Sequence, residues 1–235
     1  MKRITTEYTF RTGLIDRPLR LAVAADLHSG SFDDALEEFG RCDAVLIPGD
    51  LVDRHRRNNT NALRFLATVP KIVPVFYSVG NHERKYKHRE AYMQKVAESE
   101  VILLDNESTA FHGIRIGGLS SSWEEPDLAF LDRFEKEDGY RLLLCHHPEV
   151  WRDYVSGRDI DLTLCGHAHG GQIQFFGRGL YAPGQGLFPK LTHGLHGGGK
   201  MLISRGMTNG AKPRVPRINN PCELIIINLA PETPA

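Results

Sequence analysis

The 235-residue chain carries no net charge, because 29 Lys and Arg balance 29 Asp and Glu. A uniform basic field of the kind duplex nucleic acid requires is therefore absent, and no specific nucleic-acid partner is expected. Its four cysteines, Cys42, Cys145, Cys165 and Cys222, include no CxxC pair. That argues against a disulfide framework and for a reducing compartment. No stretch approaches the roughly 18 apolar residues of a membrane-spanning helix, and Met1–Glu7 lacks an apolar targeting core. A soluble cytoplasmic protein is the expectation. Internal repeats and interdomain linkers are lacking too, so residues 1–235 are expected to form a single domain.

What remains is an ordinary globular composition, 41% hydrophobic and 25% charged. Leu19–Ala25, Ala44–Ile47, Ile72–Val79, Arg141–Cys145 and Asp161–Cys165 are short apolar runs without alternation, as in strands covered on both faces. Ile4–Phe10 alternates, as an edge strand does, and Ile114–Leu119 and Glu223–Leu229 are further strand candidates. Helices are expected over Asp33–Gly40, capped by Asp33, and over Asn58–Thr68, with a stripe of Ala62, Leu63, Phe65 and Leu66. Two more are expected over Lys87–Ser99, with Ala91, Tyr92 and Val96 inward, and over Asp127–Glu137. Gly170–Asn220 is rich in Gly and Pro and reads as long loops on a rigid scaffold. Taken alone, this pattern supports α/β or α+β with buried strands.

Each of the five apolar runs ends in potential metal ligands. In order these are Asp26-Leu27-His28, Pro48-Gly49-Asp50, Gly80-Asn81-His82-Glu83, His146-His147-Pro148 and Gly166-His167-Ala168-His169. Strands placed side by side would bring these groups together at their carboxyl ends, where α/β sheets bind ligands. Carboxylate, imidazole and amide oxygen without thiolate suit Mn, Fe, Zn, Ni or Co better than a structural zinc site. Each piece alone is common by chance; the ordered series is specific.

These motifs, together with Gly49-Asp50-x-x-Asp53, resemble the calcineurin-like metallophosphoesterases across about Leu19–Gln172. Ser204-Arg205-Gly206 and Asn220-Pro221-Cys222-Glu223 are similar to the bacterial YkuE/YaeI-like phosphodiesterase branch. The resemblance implies a four-layer αββα sandwich of two mixed sheets flanked by helices. It implies a first metal on Asp26, His28 and His169, a second on Asn81, His146 and His167, and Asp50 as the bridge. It also implies a hydroxide activated by two divalent cations, Mn²⁺ foremost, attacking a phosphate ester. His82 matches a non-ligand histidine that faces the phosphate and protonates the leaving oxygen or stabilises the transition state. The expected activity is that of a phosphodiesterase or pyrophosphohydrolase on a small or lipid-linked ester. A phosphomonoesterase and a non-catalytic scaffold on the same fold are the alternatives.

Several residues keep two readings. Asp53 orients His82 or caps a helix; Arg54 binds a phosphate oxygen or is a loop charge. Arg84, Tyr86, Arg205 and Arg217 form a basic substrate rim or are solvated and structural groups. His147 competes with His146, although the family pattern His-x-Pro selects His146. Trp123 is a substrate platform or a core residue. The aromatic and basic segment Phe175–Tyr181 with Leu187–Lys190 reads foremost as a loop packed by its own aromatics, peripheral membrane or lipid contact being the other reading.

Overall fold

The computed structural model describes residues 3–122, 125–210 and 215–232, so Trp123 lies outside the described residues. Two six-stranded sheets form its centre. β1 (Ile4–Thr12), β2 (Leu19–Val23), β3 (Ala44–Ile47), β4 (Val75–Tyr77) and β5 (Ile102–Leu103) enter the first. β6 (Glu107–Phe111), β7 (Ile114–Leu119), β8 (Tyr140–Cys145) and β9 (Leu162–Cys165) enter the second. Two small hairpins follow: β10 (Gln174–Phe175) with β11 (Arg178–Gly179), and β12 (Tyr181–Ala182) with β13 (Gly186–Leu187). β14 (Gly194–His196) and β15 (Met201–Ile203) then join the second sheet, and β16 (Glu223–Pro231) the first.

The strand orders are β1-β16-β2-β3-β4-β5 and β14-β15-β9-β8-β7-β6. β2, β3, β4 and β5 run parallel, as do β7, β8, β9 and β15. β16 pairs antiparallel with β2, and β6 and β14 pair antiparallel with their neighbours, so both sheets are mixed. Helices α1 (Leu36–Phe39), α2 (Thr60–Thr68), α3 (Asn81–Arg84) and α4 (Arg89–Ala97) follow strands of the first sheet. Helices α5 (Leu128–Phe134) and α6 (Pro148–Val150) follow strands of the second.

Side chains alternate across each strand, and that sets the layers. Leu21, Val23 and Leu46 of the first sheet meet Leu142, Leu144 and Leu164 of the second in a central core. Ala22, Val45 and Tyr77 turn outward onto Phe65, Tyr92 and Val96 of α2 and α4. Leu143, Cys145 and Ile203 turn outward onto Phe130, Phe134 and Trp151. The result is the expected αββα sandwich. Because both faces of each sheet are covered, the strands read as unbroken apolar runs.

Local differences have local causes. Asp33 caps no helix: Phe32 holds the cap position, and the Asp33 carboxylate accepts from Ser31 and Arg64 instead. Leu63 and Ala91 face solvent, because each helix buries a narrower stripe than its apolar residues permit. Asp127 caps α5, accepting the Phe130 amide at 2.8 Å. The Gly-rich segment holds β14 and β15 as well as loops.

Candidate metal centre

The carboxyl ends of β2, β3, β4, β8 and β9 lie together, and the seven expected ligand side chains extend from the loops that leave them. All seven are buried. Asp26, His28, Asp50, His167 and His169 adopt left-handed backbone conformations, with φ of 51, 45, 59, 67 and 47°. Such conformations cost of order 1–3 kcal/mol each in non-glycine residues and concentrate at functional sites.

At one end, His28 Nε2 and His169 Nε2 are 3.1 Å apart, and each faces Asp26 Oδ1, at 3.7 and 3.8 Å. At the other end, His146 Nε2 lies 3.0 Å from Asn81 Oδ1 and 3.2 Å from Asp50 Oδ2. His146 Nδ1 donates to the Pro48 carbonyl at 2.8 Å, which leaves Nε2 as the atom turned to the site. The His167 ring stacks edge-on against His146 and His147. Asp50 stands between the two ends, its Oδ2 also 3.8 Å from His28 Nε2. His147 shares a donor cluster with His146 and His167, but its Nδ1 lies against Ser121 Oγ at 3.2 Å. Of the pair, only the His146 ring reaches both Asn81 and Asp50.

Burial holds the Asp26 carboxyl up, at about 7, and the His28 imidazole down, at about 3. Burial also opposes charge on Asp50 and His146. Their mutual attraction outweighs it, lowering Asp50 well below the carboxylate range and raising His146 to about 10. Carboxylates facing histidines in a buried cluster are a set of lone pairs that a cation satisfies together. The donors of Asp26, His28 and His169 lie within 4.8 Å of one another, as do those of Asp26, Asp50 and His146. The donor set therefore fits divalent cations.

His82 lies against a cavity of about 220 Å³ lined by His28, Asp50, Asn81, His167 and His169. Its amide donates to Asp50 Oδ1 at 2.8 Å, and its Nδ1 accepts the Arg54 amide at 3.1 Å. Asp53 Oδ1 stands 3.4 Å from the same Nδ1. Burial disfavours the His82 charge, but Asp53 and Asp50 more than compensate and raise it. Asp53 caps no helix: its carboxylate accepts the His55 amide at 2.8 Å and faces His82. The Arg54 side chain lines the cavity and hydrogen-bonds His55.

Three residues matter more than their sequence context indicates. Glu83 is fully buried and accepts from the amides of Asp50, Gly80 and Val52 at 3.0, 2.8 and 3.0 Å, bracing the β3 loop on the β4 loop. Arg217 is no solvated rim: it is 7% exposed, with Nη2 3.1 Å from His169 Nδ1. Asn220 donates to the carbonyls of His169 and Gln172 at 2.7 and 3.0 Å, fixing the turn that carries His169. Glu83 closes the Gly80-Asn81-His82-Glu83 motif but nothing in it indicates a brace, and Arg217 and Asn220 lie 48 and 51 residues beyond His169, which they hold.

An αββα sandwich with a carboxylate–histidine cluster at the strand ends defines a class of metal-dependent hydrolases. The family model of calcineurin-like phosphoesterases matches residues 19–171. The chain is 30% identical over 185 residues to the uncharacterized protein YpbG of Bacillus subtilis, covering 72% of this chain and 68% of that one. It is 29% identical over 232 residues to the uncharacterized metallophosphoesterase Cj0846 of Campylobacter jejuni, and 28% identical over 175 residues to the phosphodiesterase YaeI of Escherichia coli. These matches cover 92% and 67% of this chain, but 60% and 63% of those relatives. The chain belongs to the calcineurin-like phosphoesterase family and is a metal-dependent phosphoric ester hydrolase.

Proposed function

We propose that the chain is a single-domain binuclear phosphodiesterase or pyrophosphohydrolase acting on a small or lipid-linked phosphate ester. The observation that carries this reading is the position of Asp50. Its Oδ2 faces His146 at 3.2 Å and His28 at 3.8 Å, so one carboxylate serves both ends of the cluster. Asp26, His28 and His169 then hold one cation, and Asn81, His146 and His167 the other. Two divalent cations, Mn²⁺ foremost, with Fe, Zn, Ni or Co as alternatives, supply the charge that polarises the phosphoryl oxygens and lowers the pKa of water. The similarity to the phosphodiesterase YaeI favours a diester over a monoester.

The protein's own groups complete the chemistry. Asp53 and Asp50 favour the charged His82 ring, so as an imidazolium it would hold a proton at Nε2 for the departing oxygen and return to neutral imidazole on giving it up. Asp53 stabilises the imidazolium form from the Nδ1 side. Arg54, at the cavity wall, offers its guanidinium to a non-reacting phosphate oxygen. All four cysteines are free, which suits a reducing, cytoplasmic setting. Among the described residues, no helix is long and apolar enough to cross a membrane.

The test compares hydrolysis of bis-p-nitrophenyl phosphate with that of p-nitrophenyl phosphate, with Mn²⁺ added, in wild type and Asp50→Ala. Metal-dependent diester turnover, lost in the variant, supports the reading. A preference for the monoester replaces it with a phosphomonoesterase. Absence of bound metal in the wild type leaves only a binding scaffold.

A further inference from the structure

The hairpins beside the cavity expose their apolar residues. Phe176 is fully exposed, at 106%, and Phe188, Leu187 and Phe175 are 75, 70 and 58% exposed. A loop packed by its own aromatics, the foremost reading of the sequence, would bury them. Conformation does not account for them either. Phe176 and Gly177 form the two-residue turn between β10 and β11, with φ of 50 and 76°. Asn or Asp followed by Gly is preferred at such a turn, and a bulky aromatic is a poor choice for its first position. Phe188 has φ of 52° as well. Two aromatics therefore occupy unfavourable conformations in which they touch little of the protein.

The charge along this stretch of sequence is one-sided. Between Asp161 and Glu223 the sequence has no Asp or Glu but seven Lys and Arg, in a chain whose net charge is zero. Arg178 pairs with Phe175 across the first hairpin, and Lys190 follows the second; both are exposed. Exposed apolar residues on two neighbouring hairpins, each with an exposed basic residue beside them, suit an anionic lipid bilayer. Aromatic tips enter the acyl boundary there while the cations remain at the headgroups.

The hairpins are also fixed to the cluster. Gly179 packs so closely on Gly171 that a Cβ on Gly179 would fall 2.7 Å from the Gly171 Cα. The Leu180 amide donates to the Ile173 carbonyl at 2.8 Å, and the Phe188 amide to the Leu180 carbonyl at 2.9 Å. Gly171 is two residues from His169, and Tyr181 and Pro183 of the second hairpin line the cavity. We propose that the Phe175–Phe176 and Leu187–Phe188 tips, with Arg178 and Lys190, dock the protein on anionic membrane surfaces and set the cavity beside the headgroup layer. This deepens the lipid-linked form of the proposed function, but docking itself requires neither metal nor turnover.

Vesicle co-sedimentation tests it without substrate. Wild type should sediment with phosphatidylcholine vesicles containing about 30% phosphatidylglycerol, bind pure phosphatidylcholine weakly, and be released by about 0.5 M NaCl. The double variant Phe176→Ser/Phe188→Ser should bind at least tenfold more weakly, as loss of two buried aromatics implies. Its thermal midpoint and its bis-p-nitrophenyl phosphate turnover should be unchanged, because neither side chain supports the core or the cluster. Failure of wild type to sediment, or equal binding by the variant, overturns the proposal. So does a concentration-dependent dimer in light scattering that the variant abolishes, which would make the tips a contact between copies of the chain. Loss of hydrolysis with binding intact would count against the proposed enzymatic activity and leave docking standing.

Discussion

The Nε2 atoms of His28 and His169 stand 3.1 Å apart, 141 residues distant in sequence, and both face one oxygen of Asp26. At most one of the two nitrogens can donate to the other, and a cation satisfies both lone pairs together with the carboxylate. His169→Ala should therefore remove one ion per chain, weakening Mn²⁺ binding at that end by more than about 100-fold, beyond the loss typical of outer-shell changes. Elemental analysis after dialysis measures it. Retention of both ions would take His169 out of the ligand set.

His82 is predicted to act on the leaving group and not on the metals. His82→Ala should keep full metal content and lower kcat by about 10²–10⁴. The deficit should be smallest for p-nitrophenyl esters, whose leaving oxygen needs little protonation, and largest for alkyl esters. Equal losses for both leaving groups would exclude a proton-donor role. Asp53→Asn should reproduce the pattern more mildly, since Asp53 works through the ring at 3.4 Å.

Glu83 should be a structural brace. Its removal in Glu83→Ala strands three buried amides, those of Asp50, Gly80 and Val52. At roughly 1–3 kcal/mol for each unsatisfied group, the variant should lose about 3 kcal/mol or more in denaturant unfolding. It should also lose turnover, because Asp50 carries the released loop. Unchanged stability would mean that water replaces the carboxylate.

The contrast between Glu83 and the ligands shows what a sequence can carry. Candidate ligands at strand ends are legible because β2, β3, β8 and β9 are covered on both faces and stop abruptly at polar motifs. A brace such as Glu83 shows no pattern, since its meaning lies in three amides, two of them supplied by the β3 loop and one by its own. β5 and β6 are half-exposed edges without an apolar run, and β15 is three residues long after three glycines. Tertiary pairing, not local preference, makes them strands. The left-handed turns at Asp26, His28, Asp50, His167 and His169 are equally hidden, because Asp and His, although they enter that region more readily than most residues, do so at a small minority of positions.

Two glycines separate contact from conformation as causes of damage. Gly80 has φ −91° and ψ −175°, which alanine tolerates, yet a Cβ there would fall 2.2 Å from Asp50 Oδ1 and 2.5 Å from the Asp50 amide. Gly80→Ala must push the Asp50 carboxylate aside, so activity should drop by more than about 100-fold and stability by about 1–3 kcal/mol, as for overpacking. Gly113 is the reverse case, with nothing within 4 Å of its Cβ position but φ of +84°. Gly113→Ala, in the turn between β6 and β7, should cost about 1–2 kcal/mol through left-handed strain and leave turnover and metal content intact. Equal activity in the two variants would mean that Asp50 can shift without loss, and the case for it as the shared ligand would fail.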